Sequence, residues 1–309
     1  MGGDRSVALV TCAEFANGYD DDWAVVAPLA ARGVDVTFAV WDDAAVDWAR
    51  FDLVVLRSTW DYTSQRDRFL TWACSVPNLA NPAAAVAWSS DKTYLRELAA
   101  TGASVVPTTF VAPGPGADAG RAASAIAAVA ATADRFVVKP SVGSGSVDAG
   151  RFDSADEASV EIATKHAGAL LEQDRTVMVQ PYLEQIDTAG ESSLVFFEGR
   201  FSHAVRKEPL LSGGLTEPAG LFVDETISVI SATAGQIATA AAILGATPFD
   251  VSSLLYARVD LLPGPDNTPT LLELEMVEPS LFLGEAEGAA ERFAAAIDRT
   301  IANGRRSPS

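Results

Sequence analysis

The first part of the chain alternates between short apolar runs and helical spacing. Apolar runs cover residues 6–11, 34–41 and 51–56, whereas residues 22–32 place apolar positions at helical intervals. Strands that alternate with helices indicate a parallel α/β sheet. Because ligands bind at the carboxyl ends of such strands, residues 57–62 become candidates for ligand contact.

The pattern breaks at the prolines of residues 77–82, and a domain boundary is expected near Ala87. Beyond it, Ser90 is expected to cap a helix that runs to about Ala100 and stops at Gly102. The elements predicted after this helix are, in order, a Pro/Gly/Ala loop (112–120), an alanine-rich helix (to 133), a strand (135–138), a glycine loop (141–150), a strand and helix (to 171), a strand (177–180), a hairpin (192–198 and 201–205), a helix (229–244) and two closing strands (254–261 and 270–275).

Length and charge narrow the class of protein. A chain of 309 residues exceeds the usual size of one domain, so two or three lobes around a cleft are expected. Acidic residues outnumber basic ones by 41 to 22, which disfavours nucleic acid as a partner. Residues 1–8 do not resemble a leader, and no apolar stretch reaches the roughly 20 residues that cross a bilayer. We therefore expect a cytoplasmic protein without membrane contact.

Few cysteines and histidines are present. Cys12 and Cys74 are too few for a disulfide scaffold or a thiolate zinc site, and both are expected to be buried. Only His166 and His203 remain as imidazole ligands, and His203 is expected to pack within its hairpin. Any metal site must therefore consist of carboxylates.

The closing strands carry the most informative charges. Alternate residues of a strand share a face, so Arg258 and Asp260 point one way, and Glu273 and Glu275 do likewise. Crowded carboxylates repel by roughly a kcal/mol or more per pair unless a cation neutralises them. Magnesium prefers such oxygen ligands. A solvated acidic hairpin is the alternative, and the apolar residues between these acids favour the metal site.

A second informative segment is the glycine loop. Lys139 closes an apolar strand, and residues 141–146 follow with the sequence Ser-Val-Gly-Ser-Gly-Ser. Glycines let backbone N–H groups approach phosphate oxygens, and the lysine adds a positive charge. The spacing matches neither a P-loop nor a dinucleotide-binding fingerprint. Lys92, at the start of its predicted helix, is a further anion-binding candidate, with an ordinary exposed lysine as the alternative.

These segments, in this order, resemble the ATP-grasp superfamily from Lys92 onward. The resemblance implies an α/β ATP-grasp fold of three subdomains, with nucleotide held between two α+β lobes. The expected boundaries are 1–87, 88–180 and 181–309. The resemblance also implies ATP and one or two magnesium ions as cofactors, with Asp260, Glu273 and Glu275 as metal ligands. Glu275 stands where relatives often have asparagine.

The resemblance assigns nucleotide contacts as well. The nucleotide-binding candidates are Lys92, Lys139, Ser141, Gly143, Ser144, Gly145, Ser146, Gln180, Pro181, Tyr182, Leu183 and Glu191. Gln180 replaces the commoner hinge glutamate. Glu191 is the expected ribose ligand, and Glu184 and Asp187 remain alternatives. The candidate catalytic residues are Lys139, Lys207 and Arg258. Lys92, Lys139, Arg258 and magnesium would neutralise the phosphoryl charge.

Two further segments, residues 56–62 and 201–207, are similar to an ATP-grasp subgroup that includes the D-cycloserine ligase of antibiotic biosynthesis. The substrate candidates are Arg57, Ser58, Thr59, Trp60, Asp61 and Arg206. Arg57 and Arg206 are expected to grip a carboxylate, and Asp61 an ammonium group. Trp60 and Tyr62 are expected to form an apolar wall, with core packing as the alternative.

The resemblance implies a ligase that activates the carboxylate of a small amino-acid-like substrate as an acyl phosphate. The most specific expectation is cyclisation of O-ureido-D-serine to D-cycloserine. An intermolecular amino-acid or peptide ligase and a non-catalytic ATP-binding protein are the alternatives. The resemblance also suggests a homodimer.

Overall fold

The structure is a computed structural model that describes residues 5–114, 119–209, 213–215 and 226–304. Two predictions concern residues outside the described ones. They are the expected absence of a leader, at residues 1–4, and part of the predicted Pro/Gly/Ala loop, at residues 115–118. Within the described part of the chain, no helix is long and apolar enough to cross a membrane.

The described residues form both strands and helices, numbered here in chain order. The strands are β1 (Arg5–Thr11), β2 (Val34–Val40), β3 (Leu53–Leu56), β4 (Leu79–Ala80), β5 (Thr109–Val111), β6 (Arg135–Pro140), β7 (Gly150–Asp153), β8 (Val177–Pro181), β9 (Glu191–Phe197), β10 (Arg200–Lys207), β11 (Gly214–Leu215), β12 (Ile227–Ile230), β13 (Tyr256–Pro263) and β14 (Pro269–Glu275). The α-helices are α1 (Asp20–Trp23), α2 (Val26–Ala30), α3 (Arg66–Ser75), α4 (Ala83–Ser89), α5 (Tyr94–Ala100), α6 (Ala119–Ala130), α7 (Glu157–Glu172), α8 (Ile186–Ala189), α9 (Ala234–Gly245) and α10 (Ala289–Gly304).

The strands form three sheets. The N-terminal sheet is parallel, in the order β2-β1-β3-β4. The central sheet is antiparallel, in the order β11-β7-β6-β8-β5, and the C-terminal sheet is antiparallel, in the order β12-β10-β9-β13-β14. The mixture of one parallel and two antiparallel sheets agrees with the predicted α/β class. The boundaries at residues 87 and 180 remain predictions.

Helix α10 joins the N-terminal and C-terminal sheets. Ala289, Phe293, Ile297 and Ile301 recur every four residues, which places them on one face. This face enters a core that also contains side chains of β1 and β9. The sequence analysis had ended at the closing strands and did not predict this helix.

Several predicted elements differ from the structure. The helix predicted over residues 22–32 is divided into α1 and α2. Ser90 ends α4 and does not cap α5, whose first residue is Tyr94. Val229 belongs to strand β12, so the predicted helix over residues 229–244 begins too early. In such short segments the spacing of apolar residues fits a helix and a strand almost equally well. Contacts with the rest of the fold then decide which of the two forms.

The two cysteines also differ from each other. Cys12 is buried, as predicted, whereas Cys74 is exposed on α3. The prediction of a buried thiol at residue 74 was therefore wrong. Residue 74 lies near the end of an amphipathic helix whose buried face is formed by Phe69 and Ala73.

Candidate active site

One cavity of about 220 Å³ lies between the central and C-terminal sheets. The 3₁₀ helix Trp60–Ser64, which follows β3 of the N-terminal sheet, contributes to its wall. The predicted site residues that line this cavity are Trp60, Lys92, Lys139, Gly143, Ser144, Gly145, Ser146, Gln180, Pro181, Tyr182, Leu183, Glu191, Lys207, Arg258, Asp260, Glu273 and Glu275. Segments far apart in the sequence thus converge on one cleft.

Lys139 lies near the end of β6, directly before the glycine loop. Among the described residues, no carboxylate lies within ion-pair distance of its ammonium group. Burial lowers the pKa of this amine, while the nearby Glu273 carboxylate acts in the opposite direction. Gly145 has a φ of 56°, a left-handed conformation that favours glycine. This corner of the cleft therefore offers one uncompensated cation beside a loop whose backbone can approach an anion closely.

Lys92 connects the glycine loop to the acidic strand β14. Its ammonium group donates to the Gly143 carbonyl at 2.6 Å and pairs with Glu273 Oε1 at 3.0 Å. Its backbone N–H donates to the carbonyl of Ser141, which is buried and does not line the cavity. Lys92 precedes α5 in a turn, so the predicted position at the start of a helix was wrong by two residues.

The predicted adenine segment follows β8. Gln180 is buried and donates from Nε2 to the Thr108 hydroxyl at 2.8 Å. The Tyr182 backbone N–H donates to the Arg135 carbonyl, and its hydroxyl donates to Asp187. The bond to Arg135 fixes the segment against β6, and the residues of the segment line the cavity.

Arg258 holds the acidic face together. Strand register places Arg258 opposite Glu275 and Asp260 opposite Glu273. The guanidinium contacts Asp260 through two donors, at 2.9 Å from Nε and 2.8 Å from Nη2, and it reaches Glu275 at 2.6 Å. Burial raises the pKa of Asp260, but Arg258 and Lys207 outweigh it and hold the value at about 2. Burial and the neighbouring acids raise the pKa of Glu275 to about 8.

These acids have the ligand chemistry that magnesium prefers. In the structure, however, Asp260 and Glu275 contact Arg258, and Glu273 contacts Lys92. Within the described ranges, no group of three or more Asp, Glu, His or Cys side chains is arranged to hold a metal ion. The donor types fit magnesium, while their present arrangement is that of an ion-pair network.

Glu191 and Lys207 face each other on β9 and β10. Lys207 Nζ lies 2.5 Å from Glu191 Oε1 and 3.7 Å from Asp260 Oδ2. Burial raises the pKa of Glu191 to about 7, against the lowering effect of Lys207. The alternative ribose ligands, Glu184 and Asp187, contact Arg135 and do not line the cavity.

Comparison with known proteins identifies the family of this chain. Residues 7–81 match the family model described as D-cycloserine synthetase DcsG, N-terminal domain. The cycloserine biosynthesis protein DcsG of Streptomyces lavendulae is 39% identical over 279 residues, covering 87% of this chain and 90% of that protein. The chain belongs to the DcsG family.

Solved structures agree with this assignment. The crystal structure of D-cycloserine synthetase DcsG matches with a TM-score of 0.85 and 36% identity, covering 96% of this chain and 99% of the other. A RimK-domain ATP-grasp protein from Sphaerobacter thermophilus DSM 20745 matches with a TM-score of 0.64 and 17% identity, covering 94% and 99%. The second likeness shows the ATP-grasp fold alone. This DcsG-family chain is an ATP-dependent ligase.

Several predicted substrate residues of this DcsG-family protein lie outside the cavity. Arg57 is 2% exposed and pairs with Asp22 at 2.8 Å and with Asp21 at 3.3 Å. Ser58 donates to Asp22, and Thr59 is fully buried. The structure therefore does not bring residues 57–59 to the cleft, because the acids of α1 already satisfy Arg57.

Asp61 and Arg206 are also occupied elsewhere. Asp61 accepts a hydrogen bond from Trp41 Nε1 at 2.9 Å. Arg206 donates to the Thr188 carbonyl at 3.1 Å and pairs with Glu208 at 3.2 Å. Neither side chain lines the cavity. The structure therefore does not bring these two side chains to the cleft, where they were expected to contact a substrate ammonium and carboxylate.

The DcsG-family cleft contains two acids that were not predicted from the sequence, Glu208 and Glu278. Glu278 is 8% exposed and lines the cavity beside Trp60 and Tyr62. Strand alternation would place it on the face opposite Glu273 and Glu275. Strand β14 ends at Glu275, however, and the following loop directs Glu278 into the cleft. An acid just beyond a strand of cleft acids was the available signal.

Proposed function

We propose that this ligase activates the carboxylate of a small amino-acid-like substrate with ATP and closes it into a cyclic amide, with O-ureido-D-serine as substrate and D-cycloserine as product. The observation that carries the nucleotide part is Lys139, a cation without an ion pair among the described residues, beside the glycine loop. The identity of the substrate rests on similarity to DcsG.

Lys139 and the backbone of the glycine loop supply the binding site for the transferred phosphoryl group. A point charge and close backbone N–H groups neutralise the charge that spreads over phosphoryl oxygens. Gln180 and the segment through Leu183 hold the base, and Glu191 the ribose. Arg258 and Lys207 orient the acids that flank the phosphates.

Asp260, Glu273 and Glu275 would hold one or two magnesium ions. A bound magnesium ion neutralises phosphate charge and acts as a Lewis acid at the transferred group. Their oxygens become available when Arg258 and Lys92 release them, because both cations contact these acids in the structure.

The proposed reaction needs no side-chain nucleophile. A carboxylate oxygen of the substrate attacks the γ-phosphorus, and ADP leaves with the electrons of the broken P–O bond. The nitrogen bonded to the alkoxy oxygen then attacks the acyl carbon, and phosphate leaves. O-ureido-D-serine and D-cycloserine differ by one carbon dioxide and one ammonia, so water hydrolyses the carbamoyl group. The protein's task is to hold both ends of one molecule together.

The test is incubation of the purified protein with O-ureido-D-serine, ATP and magnesium. We expect equal amounts of ADP, phosphate, ammonia and D-cycloserine, and loss of all four products with Lys139→Ala. Lys165→Ala, which removes a surface lysine paired with Glu161, is the matched control and should retain full turnover. Consumption of two amino acids per ADP would replace this proposal with an intermolecular ligase, and nucleotide binding without ADP formation would indicate a non-catalytic protein.

We propose a cytoplasmic homodimer whose lobes span residues 1–87, 88–180 and 181–309. The sequence pattern and the family resemblance support these three statements. Sedimentation of the purified protein measures the assembly, and a mass of one chain would overturn the dimer.

A further inference from the structure

We infer that Glu278 binds the α-ammonium group of the substrate and selects an amino acid over a simple carboxylic acid. This inference rests on the proposed function, because it assigns a substrate contact within the same cleft. It also replaces Asp61, whose carboxylate lies outside the cavity.

The charges that line the cavity are almost completely paired. The ion pairs of these residues are Lys92 with Glu273, Lys207 with Glu191, Arg258 with Asp260 and Glu275, and Glu208 with Arg206, which lies outside the cavity. Of the charged cavity residues in the described part of the chain, only Lys139 and Glu278 have no ion pair. One cation and one anion therefore remain for ligand groups of opposite charge.

The burial of Glu278 makes an unpaired carboxylate costly. A buried charge is stable only when it is paired or hydrogen-bonded. The nearby charge of Lys92, which is paired with Glu273, lowers the pKa of Glu278, and so does the neutral Tyr62 hydroxyl as a hydrogen-bond donor. Burial raises the pKa of Glu278 to about 7. A cationic ligand would supply the missing charge, and an α-ammonium group has the right sign and three donors.

The loop that carries Glu278 is fixed in advance. Side chains donate to five consecutive carbonyls of residues 277–281, here called the anchored loop. The donors are Tyr256 to Val277 (2.7 Å), Trp60 to Glu278 (3.1 Å), Arg57 to Pro279 (3.1 Å), Arg258 to Ser280 (3.2 Å) and His203 to Leu281 (2.8 Å). A rigid loop positions its carboxylate before the ligand arrives, and this preorganisation increases specificity.

The contacts of the anchored loop also give the predicted substrate segment a different role. Arg57 and Trp60 were expected to contact the substrate, and both donate to backbone carbonyls of the anchored loop. They are positioning residues. Residues near the N-terminus thus position the carboxylate of Glu278, which lies 218 positions after Trp60 in the sequence.

The test compares two substrates and two variants. O-ureido-D-serine carries the α-amino group, and 3-(ureidooxy)propanoate lacks it. For Glu278→Gln we expect kcat/KM for the aminated substrate to fall about 10- to 100-fold, as for loss of a hydrogen bond to a charged group. The variant and the wild type should use the deaminated compound equally well. The isosteric control is Glu285→Gln, at an exposed site that follows the anchored loop, and this variant should match the wild type.

Two results would overturn the inference. An equal loss with both compounds would show that Glu278 does not recognise the amine, and weaker magnesium–ADP binding in calorimetry would make Glu278 a metal or nucleotide residue. If the wild type forms no D-cycloserine, the proposed function fails, and the amine comparison is made with any α-amino acid that supports ADP formation. Absence of ADP formation with every α-amino acid would overturn both.

Discussion

Two buried arginines of this protein contact similar partners and have different surroundings. Arg57 pairs with Asp22 and donates to the Pro279 carbonyl, whereas Arg258 pairs with Asp260 and donates to the Ser280 carbonyl. Both side chains are at most 6% exposed. Only Arg258 lines the cavity. Burial and charge pairing alone therefore do not distinguish an arginine that lines the cavity from one that does not.

The acids around the two arginines explain this difference. Asp22 has a side chain that is 2% exposed, so its pair with Arg57 is sealed on both sides. Glu275, which also contacts Arg258, has a side chain that is 24% exposed and reaches the cleft. Ligand phosphates can therefore reach Arg258, and metal ions can reach Glu275, whereas neither can reach Arg57 and Asp22. The same substitution should consequently lower stability at both positions and lower kcat only at Arg258.

The largest effect is expected for Arg258→Lys. Lysine keeps the charge but cannot span Asp260 and Glu275 as the guanidinium fork does. Loss of one oriented charge contact in an active site lowers kcat about 10²- to 10³-fold, equivalent to about 3–4 kcal/mol. The free energy of unfolding should also fall, by about 2–3 kcal/mol, because the Asp260 side chain is only 2% exposed and loses part of its hydrogen-bonded partner. Steady-state ADP formation and urea unfolding measure the two quantities.

Arg57→Lys is the matched change at the sealed site. Lysine cannot keep the contacts with Asp22, Asp21 and the Pro279 carbonyl together, so buried groups lose partners. We expect the free energy of unfolding to fall by about 2–3 kcal/mol and kcat to stay within about threefold. A large loss of kcat in a protein of normal stability would restore Arg57 as the substrate ligand that the sequence suggested.

The residues on the proposed nucleotide side of the cleft could largely be identified from sequence, because their signals are local. Lys139 ends an apolar strand and precedes glycines, and Asp260 and Arg258 alternate on one strand. The structure places all of these side chains on the cavity. Their roles in nucleotide and metal binding remain predictions. Strand alternation and turn chemistry are local properties of the sequence, and they place these residues on one face.

The substrate side depends on contacts between distant segments, which local patterns do not encode. The sequence showed that Arg57 is a charged residue among apolar ones and therefore needs a partner. It did not show that the partner is Asp22, because the boundaries of the helix that carries Asp22 were predicted wrongly. Glu278 was missed because alternation stops where β14 ends. The buried apolar residues of helix α10 recur every four residues, so this helix could have been predicted from the sequence.

Stability should depend on pH through the cleft acid Glu278. Burial raises its pKa from 4.5 to about 7, so the folded state binds a proton more tightly than the unfolded state. This contribution is fully present below pH 4.5 and is lost as the pH rises through about 7. Between pH 5 and 8 we expect ligand-free protein to lose about 2 kcal/mol of unfolding free energy from this group.

Glu278→Gln sharpens the comparison because it removes this titration and leaves the sealed pair of Arg57 intact. Urea unfolding at several pH values should therefore show a flatter profile for the variant than for the wild type. Glu285→Gln, at an exposed site, should keep the wild-type slope. Parallel profiles for Glu278→Gln and the wild type would show that Glu278 has an ordinary pKa.

The smallest predicted effect concerns the contact between the N-terminal lobe and the anchored loop. Trp60→Phe removes the indole donor to the Glu278 carbonyl and keeps most of the ring that lines the cavity. One such hydrogen bond contributes about 1 kcal/mol, so KM for the aminated substrate should rise about fivefold. Trp41→Phe removes an equivalent donor to Asp61 outside the cavity and should lower stability without changing KM. Equal KM values for both variants would mean that the anchored loop holds Glu278 without Trp60, and the positioning role would then belong to Arg57 and Tyr256.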